Sequence, residues 1–149
     1  MDVFRADVSN LDDLSFLFDQ YRQFYEKPAD LDGCRKFMGE RLANDESVVF
    51  AIGPRSGRIA GFTQLYRSFC SVEMAELIYL YDLYVAPEFR RQGLARALME
   101  AARQYGHERG ADRLQLETAT DNRVAQSLYE SAGWKRDEVF YTYHLELGD

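Results

Sequence analysis

The chain has 149 residues, of which 46% are hydrophobic and 29% charged, and its formal net charge is -7 at pH 7. A chain of this length fits one domain, here residues 1–149, which buries about 70% of its unfolded surface and needs no disulfide or metal to fold. The acidic balance argues against a nucleic-acid partner, because phosphates call for a basic surface.

The sequence contains no run long and apolar enough to span a membrane, and its first ten residues are charged from position 2, unlike a signal peptide. We therefore expect a cytoplasmic protein without a membrane partner. The two cysteines, Cys34 and Cys70, are far apart and lack a Cys-x-x-Cys spacing. No metal site and no thiol chemistry are expected from them.

The spacing of apolar residues predicts a strand, two helices, three strands, a helix, a strand, a helix and a final strand. The first half of the chain is predicted to contain a strand at residues 2–6, a helix that ends before Pro28, a helix over Leu31–Ala43, and a hairpin of strands 47–53 and 58–68 around the turn GPRSG, residues 53–57. The second half is predicted to contain a strand over 74–87, a helix after PEFRRQG, a strand over 113–119, a helix over 122–134 and a final strand over 139–147. This order indicates a mixed α/β fold in layers around one sheet.

The stretch EFRRQGLARAL, residues 88–98, places paired arginines and a glycine where a helix begins. The unpaired amides and the dipole of a helix N-terminus suit an anion, and arginines add charge-assisted hydrogen bonds. Between Glu88 and Arg113 there are six arginines against four acids, a local reversal of the overall charge. These residues predict a phosphate ligand, although the same arginines also fit a solvated helix face.

Neither Gly-x-Gly-x-x-Gly nor Gly-x-x-x-x-Gly-Lys-Ser/Thr occurs in the chain. Instead, residues 90–95, RRQGLA, resemble the Arg/Gln-x-x-Gly-x-Gly/Ala loop of the Gcn5-related N-acetyltransferase (GNAT) superfamily. DLYVAPEFR precedes this loop, and DNRVA, LY and AGW follow it in the family's order. The resemblance covers the whole chain, most securely residues 75–135. It implies the GNAT fold, in which helices cover both faces of a central, mostly antiparallel sheet and a splayed parallel strand pair binds the cofactor.

The resemblance also implies an acetyl-CoA-dependent N-acetyltransferase in which the acceptor attacks directly in a ternary complex. In the family the loop holds the cofactor's pyrophosphate, which assigns this role to Arg90, Arg91, Gln92, Gly93, Leu94, Ala95 and Arg96. The family's preceding strand is bulged and binds the pantetheine arm through its backbone, here at Leu83, Tyr84 and Val85. The Val85 amide would lie near the thioester carbonyl and stabilise its developing charge.

Three residues near the C-terminal end match further cofactor positions of the family. Tyr129 matches the general acid that protonates the leaving thiolate, and its ordinary pKa of roughly 10 suits that role. Asn122 matches the residue that holds the pantetheine amide, and Ala125 the small residue beside it. By themselves, Tyr129 also fits a core tyrosine and Asn122 a helix cap.

The acceptor's ammonium must lose a proton before it attacks, which calls for a base or a desolvating pocket. Asp82 is the preferred base, because a carboxylate inside the apolar run LIYLYDLYV is costly unless it is paired or used. Glu117 is a second candidate, with a surface salt bridge as its alternative role. A water chain remains a third route.

YLYDLYV resembles YLEDxxV of the diamine and polyamine acetyltransferases, with Tyr81 in place of the first acid. QYRQFYEKPAD is similar to the fungal histone and polyamine branch, whose members pair as dimers, and Tyr25 and Glu26 match its substrate-lining segment. We therefore expect a homodimer that acetylates a small cationic amine or a lysine side chain. The alternative is a non-catalytic module that uses the same loop to sense acyl-CoA.

Overall fold

The computed structural model describes residues 1–54 and 58–148. Its strands are β1 (Val3–Arg5), β2 (Val48–Ile52), β3 (Gly61–Cys70), β4 (Ala75–Val85) and β5 (Arg113–Gln115), and its α-helices are α1 (Leu11–Phe24), α2 (Leu31–Ala43), α3 (Leu94–Arg109) and α4 (Arg123–Ser131). This order agrees with the predicted one up to α4. Residues 55–57 of the predicted turn GPRSG lie outside the described residues.

The five strands form one sheet in the order β1-β2-β3-β4-β5. The first three pairings are antiparallel, whereas β4 and β5 are parallel. The parallel pairing begins with Leu77 opposite Arg113 and ends with Tyr79 opposite Gln115. The second half of β4 therefore continues without β5 beside it, as expected for a splayed strand pair.

Helices cover both faces of this sheet. On one face, Leu14 of α1 and Met38 of α2 share a buried cluster with Phe62 of β3. On the other face, Leu98 of α3 packs in a cluster with Val85 of β4. Each such buried side chain stabilises the fold by roughly 1.5–3 kcal/mol. The predicted mixed α/β fold, a mostly antiparallel sheet with helices on both faces, is confirmed.

The end of the chain differs from the prediction. The residues group into two compact units, Met1–Glu117 and Thr118–Asp149, and the described part of the second unit contains helix α4 and no strand. The predicted final strand over 139–147 is therefore wrong for the single chain. Alternation permits a strand, but a strand also requires a neighbour for its hydrogen bonds. The assignment of residues 1–149 to one domain stays a prediction.

Strand β5 is also shorter than predicted. It ends at Gln115, whereas the sequence pattern continues to residue 119. Glu117 consequently lies beyond the strand, with an exposed side chain. The prediction that it stands on the strand next to β4 is wrong, because the pairing that would extend β5 stops two residues earlier.

Candidate functional site

A glycine-containing loop leads into helix α3. Arg91 and Gly93 both have left-handed backbone conformations, with φ of 64° and 75°. Gly93 is the N-cap of α3, and no side chain caps the helix. The Ala97 amide donates to the Gly93 carbonyl oxygen at 3.1 Å. The amides of residues 94–96 therefore point out of the helix end, where the dipole adds positive potential.

The loop also has room for a ligand. A Cβ atom built on Gly93 would meet no protein atom within 4 Å, so its positive φ, rather than crowding, favours glycine. The side chains of Arg91 and Arg96 are exposed, and the first turn of α3 contains no acid. Backbone donors and arginines at an open helix end fit the pyrophosphate of coenzyme A, which residues 91–96 would hold.

Arg90 has a structural role in addition to its predicted one. Its Nε donates to the carbonyl oxygen of Val85 at 2.9 Å, and its guanidinium carbon lies 5.7 Å from the ring centre of Phe24 and 5.6 Å from that of Tyr84. Arg90 therefore ties the loop to the end of β4 and to the end of α1. This places the predicted phosphate loop and the backbone of the predicted thioester site next to each other.

Strand β4 contains a bulge at Tyr81. Asp82 is opposite Gln64 and Leu80 is opposite Leu65, so Tyr81 has no partner on β3. Beyond the bulge, the Ala86 amide donates a 2.9 Å hydrogen bond to the carbonyl oxygen of Ala60, the residue just before β3. Successive amides of an extended strand point to opposite edges. The Val85 amide consequently points away from β3, to the side where β5 has ended.

Asp82 is the centre of a buried polar network. Its side chain accepts a 3.0 Å hydrogen bond from Gln64 Nε2, and the Gln64 Oε1 accepts a 2.8 Å hydrogen bond from Ser47 Oγ. Asp82 is only 6% exposed. Burial raises the pKa of the Asp82 carboxyl above its ordinary value, while hydrogen bonds from Gln64 and Tyr21 oppose the rise. A carboxyl with a raised pKa at neutral pH is suited to accept a proton.

A second titratable group lies near this carboxylate. Burial, and next the charge of Asp82, raise the pKa of Tyr66 to about 12. The Tyr66 ring also contacts the ring of Tyr81 edge-on, with their centres 5.5 Å apart. Tyr81 is 66% exposed and presents its aromatic ring to solvent.

The C-terminal end of α1 approaches β4 through aromatic contacts. The ring of Tyr21 lies 5.7 Å from that of Tyr84 and 5.1 Å from that of Tyr25, measured between centres. Tyr25 is about half exposed, and Glu26 follows it with an exposed side chain and a left-handed φ of 64°. The structure thus brings the predicted substrate segment into the same aromatic cluster as the end of β4.

The remaining predicted residues belong to the second unit. The Asn122 side chain accepts a 3.1 Å hydrogen bond from the Ala125 amide and caps α4, which confirms its structural role. The half-buried ring of Tyr129 lies 6.1 Å from that of Trp134. Gly133, with φ of 94°, follows the helix. The cofactor roles of Asn122, Ala125 and Tyr129 stay predictions.

Three residues around Asp82 were missed from the sequence: Ser47, Gln64 and Tyr21. Gln64 interrupts the apolar run GFTQLY and is fully buried, which is a signal that a buried polar partner is required. Tyr21 has the spacing of an ordinary core residue of α1. Its proximity to Asp82 follows only from how α1 packs on the sheet.

Within residues 1–54 and 58–148, no three His, Cys, Asp or Glu side chains are placed to hold a metal ion. In the same part of the chain, no helix combines the length and apolar character that crossing a bilayer requires.

Several proteins with similar sequences or structures are named acetyltransferases. The chain is 41% identical over 147 residues, covering 99% of this chain and 98% of the relative, to the uncharacterized N-acetyltransferase YhfO of Bacillus subtilis (strain 168). A crystal structure described as that of "a probable acetyltransferase" has a TM-score of 0.94 and 39% identity, and covers 100% of this chain and 99% of its own. An aminoglycoside N-acetyltransferase in complex with CoA has a TM-score of 0.79 at 20% identity, covering 97% of this chain and 93% of its own.

The model of the Acetyltransferase (GNAT) family matches residues 11–134. This range contains the loop, the bulged strand and helix α4. Acetyltransferases of this family use acetyl-CoA as the acetyl donor. The chain therefore belongs to the GNAT family and is an acetyl-CoA-dependent acetyltransferase.

Proposed function

We propose that the protein transfers the acetyl group of acetyl-CoA to a primary amine, which attacks the thioester directly in a ternary complex. The observation that carries the proposal is the buried Asp82 carboxylate beside a strand whose Val85 amide points away from β3. A base for the amine and a donor for the carbonyl oxygen are two requirements of this reaction. The two groups that would meet them lie on the same strand, and only Leu83 and Tyr84 stand between Asp82 and Val85.

Asp82 would accept the proton of the attacking ammonium, directly or through a water. Such an ammonium has a pKa of roughly 10.4, so a desolvated carboxylate with a raised pKa is a better matched base than one in water. Its bonds with Gln64 and Tyr21 favour the ionised form that this role requires. Glu117, exposed and beyond β5, is the weaker candidate.

The cofactor roles follow the family's pattern. Residues 90–96 would hold the pyrophosphate, the backbone at Leu83–Val85 the pantetheine arm, and Asn122 its amide. The Val85 amide would stabilise the negative charge that develops on the carbonyl oxygen. Tyr129 would then donate its proton to the sulfur as the bond between carbon and sulfur breaks, which leaves coenzyme A as a neutral thiol.

The acceptor is proposed to be cationic. Asp82 and Glu26 contribute acids, and Tyr25 and Tyr81 contribute exposed rings that attract an ammonium group through cation-π contacts. The structural neighbour that acetylates aminoglycosides also acts on an amine. Small amines of the polyamine type and lysine side chains are therefore proposed as acceptors. Membership of the polyamine and histone branch, the homodimer and the cytoplasmic location remain proposals as well.

The alternative of a non-catalytic acyl-CoA sensor is not favoured. The relative that matches the whole chain at 41% identity is named an N-acetyltransferase. A sensor would need only the phosphate loop. The chain also keeps a buried carboxylate at Asp82, whose desolvation costs free energy.

The test is thiol release from acetyl-CoA with a panel of polyamines, amino acids, aminoglycosides and lysine peptides. We expect turnover with cationic acceptors and initial-rate patterns of a ternary complex.

Tyr129→Phe should lower the rate by roughly 100 to 10,000-fold, the effect of losing a general acid, with cofactor affinity little changed. Tyr143→Phe is the matched control in the same unit. Cofactor binding without turnover on any amine would contradict the proposal.

A further inference from the structure

Buried polar side chains are concentrated around Asp82. In the part of the chain that the structure describes, five polar or charged residues are buried: Ser15, Ser47, Thr63, Gln64 and Asp82. The Ser15 hydroxyl donates to a backbone carbonyl of its own helix, α1, whereas the other four residues are joined to one another by hydrogen bonds. Burial of a polar group costs free energy unless the group is hydrogen-bonded. The fold therefore gathers nearly all of these groups at the proposed base.

The hydrogen bonds that reach the carboxylate run in one direction. The Ser47 hydroxyl donates to Gln64 Oε1 at 2.8 Å, and Gln64 Nε2 donates to Asp82 Oδ2 at 3.0 Å. If the amide of Gln64 were reversed, its oxygen would face the carboxylate, and both groups are acceptors. The Ser47 hydroxyl therefore favours the one orientation of the amide that stabilises an ionised Asp82.

The backbone of Asp82 is held from the same strand. The Thr63 hydroxyl donates to the Asp82 carbonyl oxygen at 2.8 Å, next to the bulge at Tyr81. Gln64 is the residue opposite Asp82 in the pairing of β3 with β4, so the two side chains lie on the same face of the sheet. Strand β3 thus fixes both the main chain of Asp82 and one oxygen of its carboxylate.

We propose that Gln64 and Ser47 are positioning residues of the acetyl transfer, which hold the Asp82 carboxylate ionised and in one orientation for the proton of the acceptor amine. The proposal rests on the proposed function, in which Asp82 is the base. Gln64 acts through Asp82, and Ser47 acts through Gln64. Hydrogen bonds to an ionised group are stronger than those between neutral groups. Removal of either residue should therefore disfavour the form of Asp82 that accepts the proton.

The other groups that face the carboxylate are unchanged in the variants that test the proposal. Tyr21 of α1 also donates to Asp82. Burial, and next the charge of Asp82, raise the pKa of Tyr66 on β3 to about 12. Tyr66 also interacts electrostatically with Arg41, Tyr81 and Glu46. Because Tyr66 stays protonated near neutral pH, its titration does not produce the acidic limb of a rate profile.

The first test measures the pKa of Asp82 directly, by carbon NMR titration of the aspartate carboxyl groups, with Asp82→Asn to identify the signal. We expect Gln64→Met to raise this pKa by roughly one to two pH units, the effect of losing a hydrogen bond to a charged group. Ser47→Ala should raise it by less. Ser15→Ala is the matched control, because it also removes a buried hydroxyl but one that is bonded within α1. An unchanged pKa in Gln64→Met would overturn the proposal.

The second test is the pH dependence of kcat/KM for the acceptor at saturating acetyl-CoA. The acidic limb of Gln64→Met should move to higher pH by as much as the pKa of Asp82 rises. The loss of rate should then be roughly 10 to 100-fold below the limb and smaller above it. A loss of rate that is equal at every pH would indicate a general effect on the fold and would contradict the positioning role.

The two tests separate the possible failures. If the pKa of Asp82 does not rise, the positioning role is wrong, while the proposed function is unaffected. If the pKa rises but the acidic limb stays in place, a different group is the base, and the proposed roles of Asp82 and of its two partners fail together. If Gln64→Met does not fold, as judged by thermal unfolding and coenzyme A affinity, the same two measurements on Ser47→Ala against Ser15→Ala decide.

Discussion

The buried carboxylate of Asp82 is destabilised by desolvation and stabilised by hydrogen bonds from neighbouring side chains. Desolvation disfavours the ionised form, and the hydrogen bonds from Gln64 and Tyr21 favour it. Ser47 holds Gln64 by its amide oxygen, so the amide nitrogen faces the carboxylate. The network keeps the acid ionisable although burial raises its pKa.

We predict that Asp82→Asn stabilises the protein at neutral pH and removes most of its activity. The pKa of Asp82 is raised in the folded state, so its contribution to stability is most favourable below its unfolded pKa and is lost as pH rises through the folded pKa. Asparagine does not ionise and can still accept from Gln64. The gain in unfolding free energy should be on the order of 1 kcal/mol.

Urea unfolding at a series of pH values checks the sign of this effect. The gap in unfolding free energy between Asp82→Asn and the unaltered protein should be constant above the folded pKa of Asp82 and narrow as pH falls through it towards the unfolded pKa. In the rate profile of the unaltered enzyme, the acidic limb should report that same group, because a protonated Asp82 cannot serve as base. A gap that is equally large at every pH would show that ionisation of Asp82 does not limit stability.

At the scale of elements, helix α3 has a glycine with positive φ at each end, Gly93 with 75° and Gly110 with 67°. A Cβ atom on either glycine would meet no protein atom within 4 Å. The two positions therefore share backbone strain and open surroundings, and differ in the sign of the helix dipole. They form a matched pair for testing the phosphate loop.

We predict that Gly93→Asp loses at least roughly tenfold in coenzyme A affinity, because it brings negative charge to the helix end that attracts the pyrophosphate. Gly110→Asp should bind the cofactor as the unaltered chain does. Both replacements incur about 1–2 kcal/mol of backbone strain, and the helix dipole makes the loss of stability smaller for Gly93→Asp. Calorimetric titration and thermal unfolding measure the two effects. Equal affinities for both variants would remove the loop from the binding site.

The elements differ in how far their sequences alone define them. The loop before α3 could be predicted, because glycine, arginines and the following helix are adjacent in the chain. The substrate side of the site could be predicted only in part: Asp82 interrupts an apolar strand, whereas Tyr21 reaches it through packing of α1 on the sheet. The segment 139–147 shows the limit of periodicity, since alternation specifies two faces of a strand and does not supply its neighbour.

At the scale of the whole molecule, the net charge is -7, but the arginines before and within α3 make that part of the chain locally positive. An acidic protein attracts a cationic acceptor over the distance of a Debye length, about 8–10 Å at physiological salt. The arginines would attract the phosphates of the donor in the same way. The proposed cationic acceptor and the acetyl donor would thus be drawn to the protein by opposite local charges.

We predict that kcat/KM falls as ionic strength rises, and that it falls more steeply for a polyamine than for an amine with one charge. Measurements at saturating acetyl-CoA separate acceptor attraction from the salt dependence of cofactor binding. The values of kcat/KM measured in potassium chloride and in a second salt at the same ionic strength should agree. Such agreement would exclude binding of a specific ion as the cause. Equal salt slopes for acceptors of different charge would contradict electrostatic attraction.

The bulge at Tyr81 shifts the register of β4 against β3 by one residue. Paired residues of neighbouring strands share a face, and Gln64 and Leu65, being consecutive, lie on opposite faces. Their partners Asp82 and Leu80 therefore also lie on opposite faces, although a regular strand places residues two apart on the same one. One additional residue moves the carboxylate to the face of α1. Deleting Tyr81 would remove the bulge and restore regular alternation along β4. Every side chain of the strand on one side of the deletion would then point to the opposite face of the sheet.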